Sequence, residues 1–248
     1  MKKFLLLIMT LLPLTARAGE FIIEGILYDL NRENMTATLC LRNGQFSNQY
    51  SGDIVIPETV TYEWIVDGVD YRGTYRVIAV GDKAFQYCFN LTSVTLPSSI
   101  TYIGEWAFMG CSRLASITIP RDVTSFGELP FGGCSSLTSI TVEEGNKVFD
   151  SRDNCNAIIE KATDKLIQGC ANTVIPNSVT CIGGTAFYGC NGLTSITIPS
   201  SVTSIAAGAF TSCSSLTSIT IPQTVTFIGG GAFSSCYSLT SISVEEGN

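Results

Sequence analysis

Apolar and polar positions along residues 85 to 248 follow a pattern that returns every 23 residues. Each copy reads Leu-x-x-Ile-x-Ile-Pro-x-x-Val-x-x-Ile-Gly-x-x-Ala-Phe-x-x-Cys, with small departures. A fixed period in the low twenties is typical of repeat proteins, in which each unit contacts mainly its neighbours. The period is clearest in one cysteine per copy, at Cys88, Cys111, Cys134, Cys190, Cys213 and Cys236.

Each copy predicts its own short elements. The Ser-Ile-Thr-Ile segment alternates with a period of two, which indicates a strand with isoleucines inward and hydroxyls outward. The following proline ends that strand because it has no N–H to donate. Ala209, Phe210 and Cys213 fit one helical turn, with Phe210 and Cys213 on the same face. The predicted fold is an α/β-type repeat solenoid with short parallel strands, few helical turns and one hydrophobic spine shared by all coils.

The N-terminus has the composition of a secretory signal peptide, assigned to residues 1–18. Lys2 and Lys3 precede an apolar run, and Ala16-Arg17-Ala18 gives the small-x-small pattern of a cleavage site before Gly19. The apolar run is too short for a membrane-spanning helix. We therefore expect an exported protein, either extracellular or on the cell surface.

Two segments depart from the period. Residues 19–80 contain strand patterns at 21–29 and 35–41 and a hairpin signal at Asp67-Gly68, so they predict an N-terminal β cap. Residues 81–248 form the predicted solenoid, which includes an irregular, hairpin-bearing unit at residues 143–175.

The irregular unit also contains two cysteines of interest. Residues 156–160 and 165–169 read as the two strands of a hairpin. If Glu160 faces Lys165, the same register brings Cys155 opposite Cys170. Two alternatives follow, a cross-strand disulfide between these cysteines or two packed thiols.

One five-residue phrase occurs twice. Val-Glu-Glu-Gly-Asn at residues 142–146 returns at residues 244–248, where the sequence stops. The earlier copy leads into the irregular unit, so we expect either a chain truncated at Asn248 or an edge completed by a partner, and truncation is favoured.

Composition excludes several classes of function. The formal net charge is −7, and loss of Lys2, Lys3 and Arg17 with the signal peptide brings it to −7 − 3 = −10. This acidity disfavours nucleic acid and anionic membranes as partners. The absence of histidine excludes Ser-His-Asp and Cys-His catalysis and histidine-ligated zinc. No catalytic residue, cofactor or metal is therefore predicted, and the six periodic cysteines are expected to form a reduced, inward-facing column.

The repeat phrase Leu-Thr-Ser-Ile-Thr-Ile-Pro-x-x-Val-Thr-x-Ile-Gly-x-x-Ala-Phe-x-x-Cys resembles the BspA-type (Treponema pallidum-type) leucine-rich repeat of surface proteins from Bacteroides-like bacteria. The resemblance covers residues 51–248, including the irregular unit. It implies a right-handed solenoid exported to the cell surface, with roles in adhesion to host matrix proteins or to other microbes. Pro130 departs from the usual alanine, but it fits the first position of a helical turn.

Two surfaces are candidate binding sites. Tyr102 and Trp106 occupy outward positions and predict an aromatic patch, with local packing against the cap as the alternative. The other surface is the exposed side of the strands, where hydroxyls could bind a peptide backbone or carbohydrate, or could merely suit exposed strands. Its residues are Ser93, Thr95, Ser116, Thr118, Ser139, Thr141, Ser195, Thr197, Ser218 and Thr220, continued by Ser241 and Ser243.

Three functions follow from different classes of protein. The leading hypothesis is a non-enzymatic interaction module whose partner is a host or microbial surface protein or glycan. The alternative is a structural spacer within a larger surface protein, with recognition elsewhere. A hydrolase using paired carboxylates is disfavoured, because the repeat faces carry hydroxyls rather than converging acids.

Overall fold

The computed structural model describes residues 19–41 and 50–245. The predicted signal peptide at residues 1–18 and the end of the chain at Asn248 lie outside these ranges. Within them the regular elements are short strands and one 3-10 helix at Arg152–Asn154. The strands are β1 (Glu20–Ile23), β2 (Ile26–Asn31), β3 (Thr36–Leu39), β4 (Ser51–Val55), β5 (Thr59–Tyr62), β6 (Ile65–Val66), β7 (Val69–Asp70), β8 (Gly73–Val80), β9 (Asn90–Thr95), β10 (Tyr102–Ile103), β11 (Ser116–Ile119), β12 (Ser125–Phe126), β13 (Ser139–Val142), β14 (Phe149–Asp150), β15 (Ala157–Glu160), β16 (Lys165–Gly169), β17 (Cys181–Ile182), β18 (Ser204–Ile205), β19 (Ser218–Ile221), β20 (Phe227–Ile228) and β21 (Ser241–Val244).

Each 23-residue copy forms one coil, and successive coils stack in parallel. In a first column of strands, β11 pairs with β13 so that Ile117 lies opposite Ile140. In a second column, β10 pairs with β12, and β18 pairs with β20. The stacked strands satisfy one another's backbone hydrogen bonds, and this arrangement is a leucine-rich repeat fold.

The segment around Phe210 is not helical, so the predicted helical turn is wrong. The Phe210 N–H donates to the carbonyl of Ala232 in the next coil (2.7 Å), whereas the Cys213 N–H donates to Phe210 (3.1 Å). An α-helix would send every N–H to the fourth residue back. Alternate donors in this segment bind the next coil instead, so the segment is a series of turns. No α-helix occurs among the described residues, where the one helical element is the 3-10 helix at Arg152–Asn154.

The N-terminal segment is a strand assembly that joins the first coil. Strands β1, β2 and β3 form an antiparallel meander, and β3 then pairs in parallel with β8. The predicted strand at residues 21–29 is instead two strands, because Glu24 and Gly25 both have positive φ and turn the chain. The hairpin expected at Asp67-Gly68 is present between β6 and β7.

The hydrophobic core is divided in two, which corrects the expectation of one continuous spine. The first part includes Leu114 and the second includes Leu193 and Leu216. Each part is built around a stack of nearly parallel phenylalanine rings with centroids 4.9–5.4 Å apart, Phe85, Phe108 and Phe131 in the first part and Phe187, Phe210 and Phe233 in the second.

The division coincides with the irregular unit. Its hairpin, β15 and β16, sends Ile158 into the first part of the core and Ile159 into the second. On the other side of the coils, the repeats that form the two parts of the core are bonded directly to each other, since the Gly133 N–H donates to the Tyr188 carbonyl (3.2 Å). The hairpin therefore separates the two parts of the core on one side of the coils only, as a wedge.

The hairpin register differs from the one expected for a disulfide. Glu160 does lie opposite Lys165, but the register shifts between Ile158 and Ile159. As a result the Cys170 thiol donates to the main-chain carbonyl of Asn156 (3.2 Å). Cys155 packs in the second part of the core, Cys170 packs in the first, and both are free thiols.

Candidate binding surface

The outward side of the first strand column, here called the strand face, carries two rows of small side chains. One row contains the serines of each Ser-Ile-Thr segment and the other contains the threonines. All ten predicted residues lie on this face, and most are exposed, with Ser93 and Ser139 partly buried. Their period-two alternation with buried isoleucines explains this placement.

Some of the hydroxyls bond to one another. Thr118 and Thr141 are 3.0 Å apart, and Thr220 and Ser243 are also 3.0 Å apart. Six others have no hydrogen-bond partner within residues 19–41 and 50–245, so they are available to a ligand: Thr95, Ser116, Ser139, Ser195, Thr197 and Ser218.

The strand face consists of two similar blocks. The first begins with Asp53 and Val55 on β4, which lie beside Ser93 and Thr95. The second begins with Asn172 and Val174, one repeat before Ser195 and Thr197. Both valines are exposed, to 69% and 70%. Sequence reasoning missed them, although the Val-Ile-Pro pattern at both positions was a usable signal.

Asp53 places a charge at the start of the first block. Its carboxylate accepts hydrogen bonds from the hydroxyls of Ser93 (2.6 Å) and Thr92 (2.8 Å). These two bonds stabilise the ionised form and lower the pKa of Asp53 below its usual value. The block therefore combines a carboxylate, an exposed valine and a hydroxyl ladder.

A charged segment separates the two blocks. Arg152 donates to Asp150 (2.9 Å) and to Asp164 (2.6 Å), and the neighbouring Asp153 and Asn154 are exposed. The segment lies between the blocks because the Val142 N–H donates to the Ser151 hydroxyl and the Val174 N–H donates to the Cys155 carbonyl, both at 3.0 Å. The irregular unit thus adds further charge to a face that otherwise carries mainly hydroxyls.

The two predicted patch aromatics are both half-buried, and each has its own neighbours. The Tyr102 hydroxyl donates to Asp82 at 3.5 Å, and burial, followed by the Asp82 charge, raises the Tyr102 pKa. The Lys83 ammonium lies 4.8 Å from the Trp106 ring centroid. No contact between the two rings occurs in the described part of the chain.

The six cysteines of the column are buried, as predicted, and all are free thiols in the structure. Sequence reasoning missed a bond that four of these thiols share, whereas Cys190 donates to the Gly169 carbonyl at 3.7 Å. Cys213, for example, donates to the carbonyl of Phe187 in the preceding coil. The same 26-residue separation joins the other pairs Cys111–Phe85, Cys134–Phe108 and Cys236–Phe210.

Across residues 19–41 and 50–245, no helix has the length and apolar character needed to cross a membrane. The same residues contain no group of three or more cysteine, aspartate or glutamate side chains placed to hold a metal ion.

The fold and the strand face define a leucine-rich repeat protein. The sequence model of the BspA type leucine rich repeat region matches residues 78–161 and 163–248, in six copies. This match covers more than half of the chain, so the chain belongs to the BspA-type leucine-rich repeat family. No curated protein matches it significantly.

Several solved structures resemble the chain. The pneumococcal vaccine antigen PcpA is 17% identical, with a TM-score of 0.51 over 91% of this chain and 81% of that one. A leucine rich cell surface protein from Faecalibacterium prausnitzii is 22% identical, with a TM-score of 0.37 over 91% and 94%. The T. pallidum leucine rich repeat protein is 23% identical, with a TM-score of 0.45 over 89% and 90%. The likeness to PcpA supports the fold alone.

Proposed function

We propose that this protein is an exported, non-enzymatic interaction module that binds a surface protein or glycan through its strand face. The observation that carries the proposal is the face itself. Two blocks of hydroxyls, six of which have no partner in the described residues, lie on either side of a charged segment, and each block begins beside an exposed valine. Such a surface offers hydrogen bonds, apolar contact and charge together. Selective interfaces commonly combine these three kinds of contact.

We propose that residues 1–18 direct export, that residues 19–80 cap the first coil, and that the coils of residues 81–248 wind as a right-handed solenoid. The signal-peptide pattern of residues 1–18 supports a location outside the cell. Adhesion to a host or to another microbe is the role that fits this location.

A binding experiment tests the strand face. Immobilised protein starting at Gly19 is offered host matrix proteins, whole bacterial cells and a glycan array. Thr118→Arg and Thr197→Arg place a bulky charge on the first and second blocks of the face. We expect at least one of these variants to reduce retention of a bound partner about tenfold or more, since about 1.4 kcal/mol corresponds to tenfold.

The matched control is Ala207→Arg, which adds the same side chain at an exposed position outside the strand face. Equal loss of binding in all three variants would overturn the assignment to this face. If the unchanged protein retained no partner at all, the spacer function would be favoured instead. Trp106→Ala is the parallel test of the aromatic positions, and unchanged affinity would remove them from the binding site.

A further inference from the structure

Gly19, the first described residue, lies against an aspartate. Its φ is +115°, and a Cβ built on it would lie 2.8 Å from Oδ1 of Asp29. The Leu30 N–H donates to the Gly19 carbonyl at 2.8 Å, which holds Gly19 beside β2. The close approach of backbone to carboxylate favours glycine at this position.

The surroundings of Asp29 are acidic. Glu20 lies directly opposite Asp29 in the antiparallel pair of β1 and β2. Burial, and then the charges of Glu20 and Asp29, raise the pKa of Cys40 to about 12. Like charges directly opposite each other destabilise a strand pair.

Asp29 has no counter-charge among the described residues. Its side chain is exposed and makes no hydrogen bond or ion pair with any residue in the described ranges. Arg32 and Glu33 share a cleft of about 540 Å³ with Asp29 and Gly19, but Arg32 lies over the ring of Tyr71. A cation beside Gly19 would therefore meet a carboxylate that has no partner in residues 19–41 and 50–245.

We propose that removal of the signal peptide creates an ion pair between the α-ammonium of Gly19 and the carboxylate of Asp29. Hydrolysis of the Ala18–Gly19 peptide bond adds one water, leaves a carboxylate on Ala18, and gives a Gly19 amine that takes up a proton. That nitrogen is one bond from the Gly19 Cα, so it lies within about 5 Å of the Asp29 carboxylate. The precursor has an uncharged amide at the same place and cannot form the pair.

The new charge stabilises the mature protein relative to its precursor. It offsets the repulsion between Glu20 and Asp29 and fixes the free end of β1 to β2. Among the described residues, the charged or titratable groups around it are Glu20, Asp29, Arg32, Glu33, Cys40 and Tyr71. An adjacent carboxylate raises the pKa of an amine, so the stabilisation is complete below the unfolded value of about 7.7–8.0 and is lost as the pH rises through the folded value.

The test compares N-termini in two backgrounds. Protein beginning at Gly19 and protein extended by Ser-Gly-Ser before Gly19 are each made with Asp29 and with Asp29→Asn. At pH 6.5 and low salt we expect the extension to lower the unfolding temperature by about 1–3 °C with Asp29, and by much less with Asp29→Asn. The difference should disappear at pH 10 and in 1 M salt.

Two further measurements test the ion pair and the cleavage separately. Titration of the Gly19 amine by NMR should give a higher pKa in the Asp29 protein than in Asp29→Asn. Equal temperature loss in both backgrounds, or an unshifted amine, would overturn the pair. N-terminal sequencing of the exported protein is the second measurement, and a start at any residue other than Gly19 would overturn the proposed cleavage. None of these outcomes depends on the strand face.

Discussion

The Sγ of Cys213 lies 3.0 Å from the main-chain carbonyl oxygen of Phe187, one coil earlier. The thiol is therefore a hydrogen-bond donor between coils as well as an apolar side chain. A thiolate could not donate, and the surrounding core could not solvate its charge. Burial accordingly raises the pKa of Cys213 to about 12, and burial raises that of Cys134 to about 12 as well.

These thiols predict a loss of stability at alkaline pH. A thiol in the unfolded chain ionises at about pH 8.5, whereas Cys213 in the folded chain stays protonated up to about pH 12. Its stabilising contribution is thus complete below about pH 8.5 and is lost between there and about pH 12, at about 1.4 kcal/mol per pH unit per thiol. Urea unfolding at pH 7, 9 and 10 under reducing conditions measures this slope.

Cys213→Ala is the variant that tests the origin of the slope. It should lower stability at pH 7 by about 1–2 kcal/mol, because it removes volume and a buried hydrogen bond. It should also make the fall in stability between pH 9 and 10 shallower by about 1.4 kcal/mol. Cys181→Ala, at a half-buried position outside the column, is the control. An unchanged slope in Cys213→Ala would contradict the explanation.

Gly169 is predicted to tolerate no side chain. A Cβ at this position would lie 2.2 Å from the ring of Phe187, which begins the second phenylalanine stack. Gly169→Ala should destabilise the protein by about 3 kcal/mol, because overpacking displaces a ring that cannot shift without disturbing its neighbours. Gly230→Ala has open space around the new methyl and should leave the unfolding midpoint nearly unchanged. Equal midpoints for the two variants would show that the ring moves freely.

Asn146 is predicted to be essential for the start of the irregular unit. Its side chain is 2% exposed; it donates to the carbonyls of Pro120 and Val123 and accepts from the N–H groups of Val148 and Phe149. Asn146→Ala leaves buried groups without partners and should cost about 2–4 kcal/mol in thermal or urea unfolding.

A surface asparagine provides the comparison for this variant. Asn191 is exposed and accepts a hydrogen bond from the Ser214 hydroxyl at 2.8 Å. Asn191→Ala should change stability by less than about 0.5 kcal/mol. A loss for Asn146→Ala no larger than this would mean that water replaces the four bonds.

Arg152 is predicted to stabilise the charged segment of the strand face. It joins Asp150, Asp164 and Ser178, which belong to three different parts of the chain. Arg152→Ala should lower stability by about 1 kcal/mol at low salt and by less at high salt, since the network is only partly buried. Arg72→Ala breaks an exposed pair with Asp70 two residues away and should have no measurable effect. A salt-independent loss at Arg152 would indicate packing rather than charge.

The repeat pattern was sufficient to predict the coil, the buried cysteine column and the outward hydroxyls. Period and alternation fix which side chains face inward, because strands place successive residues on opposite sides. They do not determine which carbonyl each backbone N–H binds. The Ala-Phe-x-x-Cys spacing suits a helical turn, yet the Phe210 N–H reaches Ala232 because the neighbouring coil offers a carbonyl at that distance.

The irregular unit was harder to predict for the same reason. Its hairpin and the Glu160–Lys165 pairing follow from local sequence, but the register shift at Ile158 depends on which core each side chain enters. A single displaced residue moves Cys170 beside Asn156 and removes the alignment needed for a disulfide. The wedge and the two-part core could not be derived from local pattern alone.

The contacts of an ordinary coil run only to the coils immediately before and after it, through bonds such as those of Phe210 and Cys213. A recombination event that duplicates or deletes one whole 23-residue unit would therefore leave every remaining bond with an equivalent neighbour. Insertions of other lengths would place the repeated phenylalanine ring and the repeated thiol out of line with those of the neighbouring coils. The gene can thus change the length of its product in discrete steps, on either side of the wedge, without remodelling the rest.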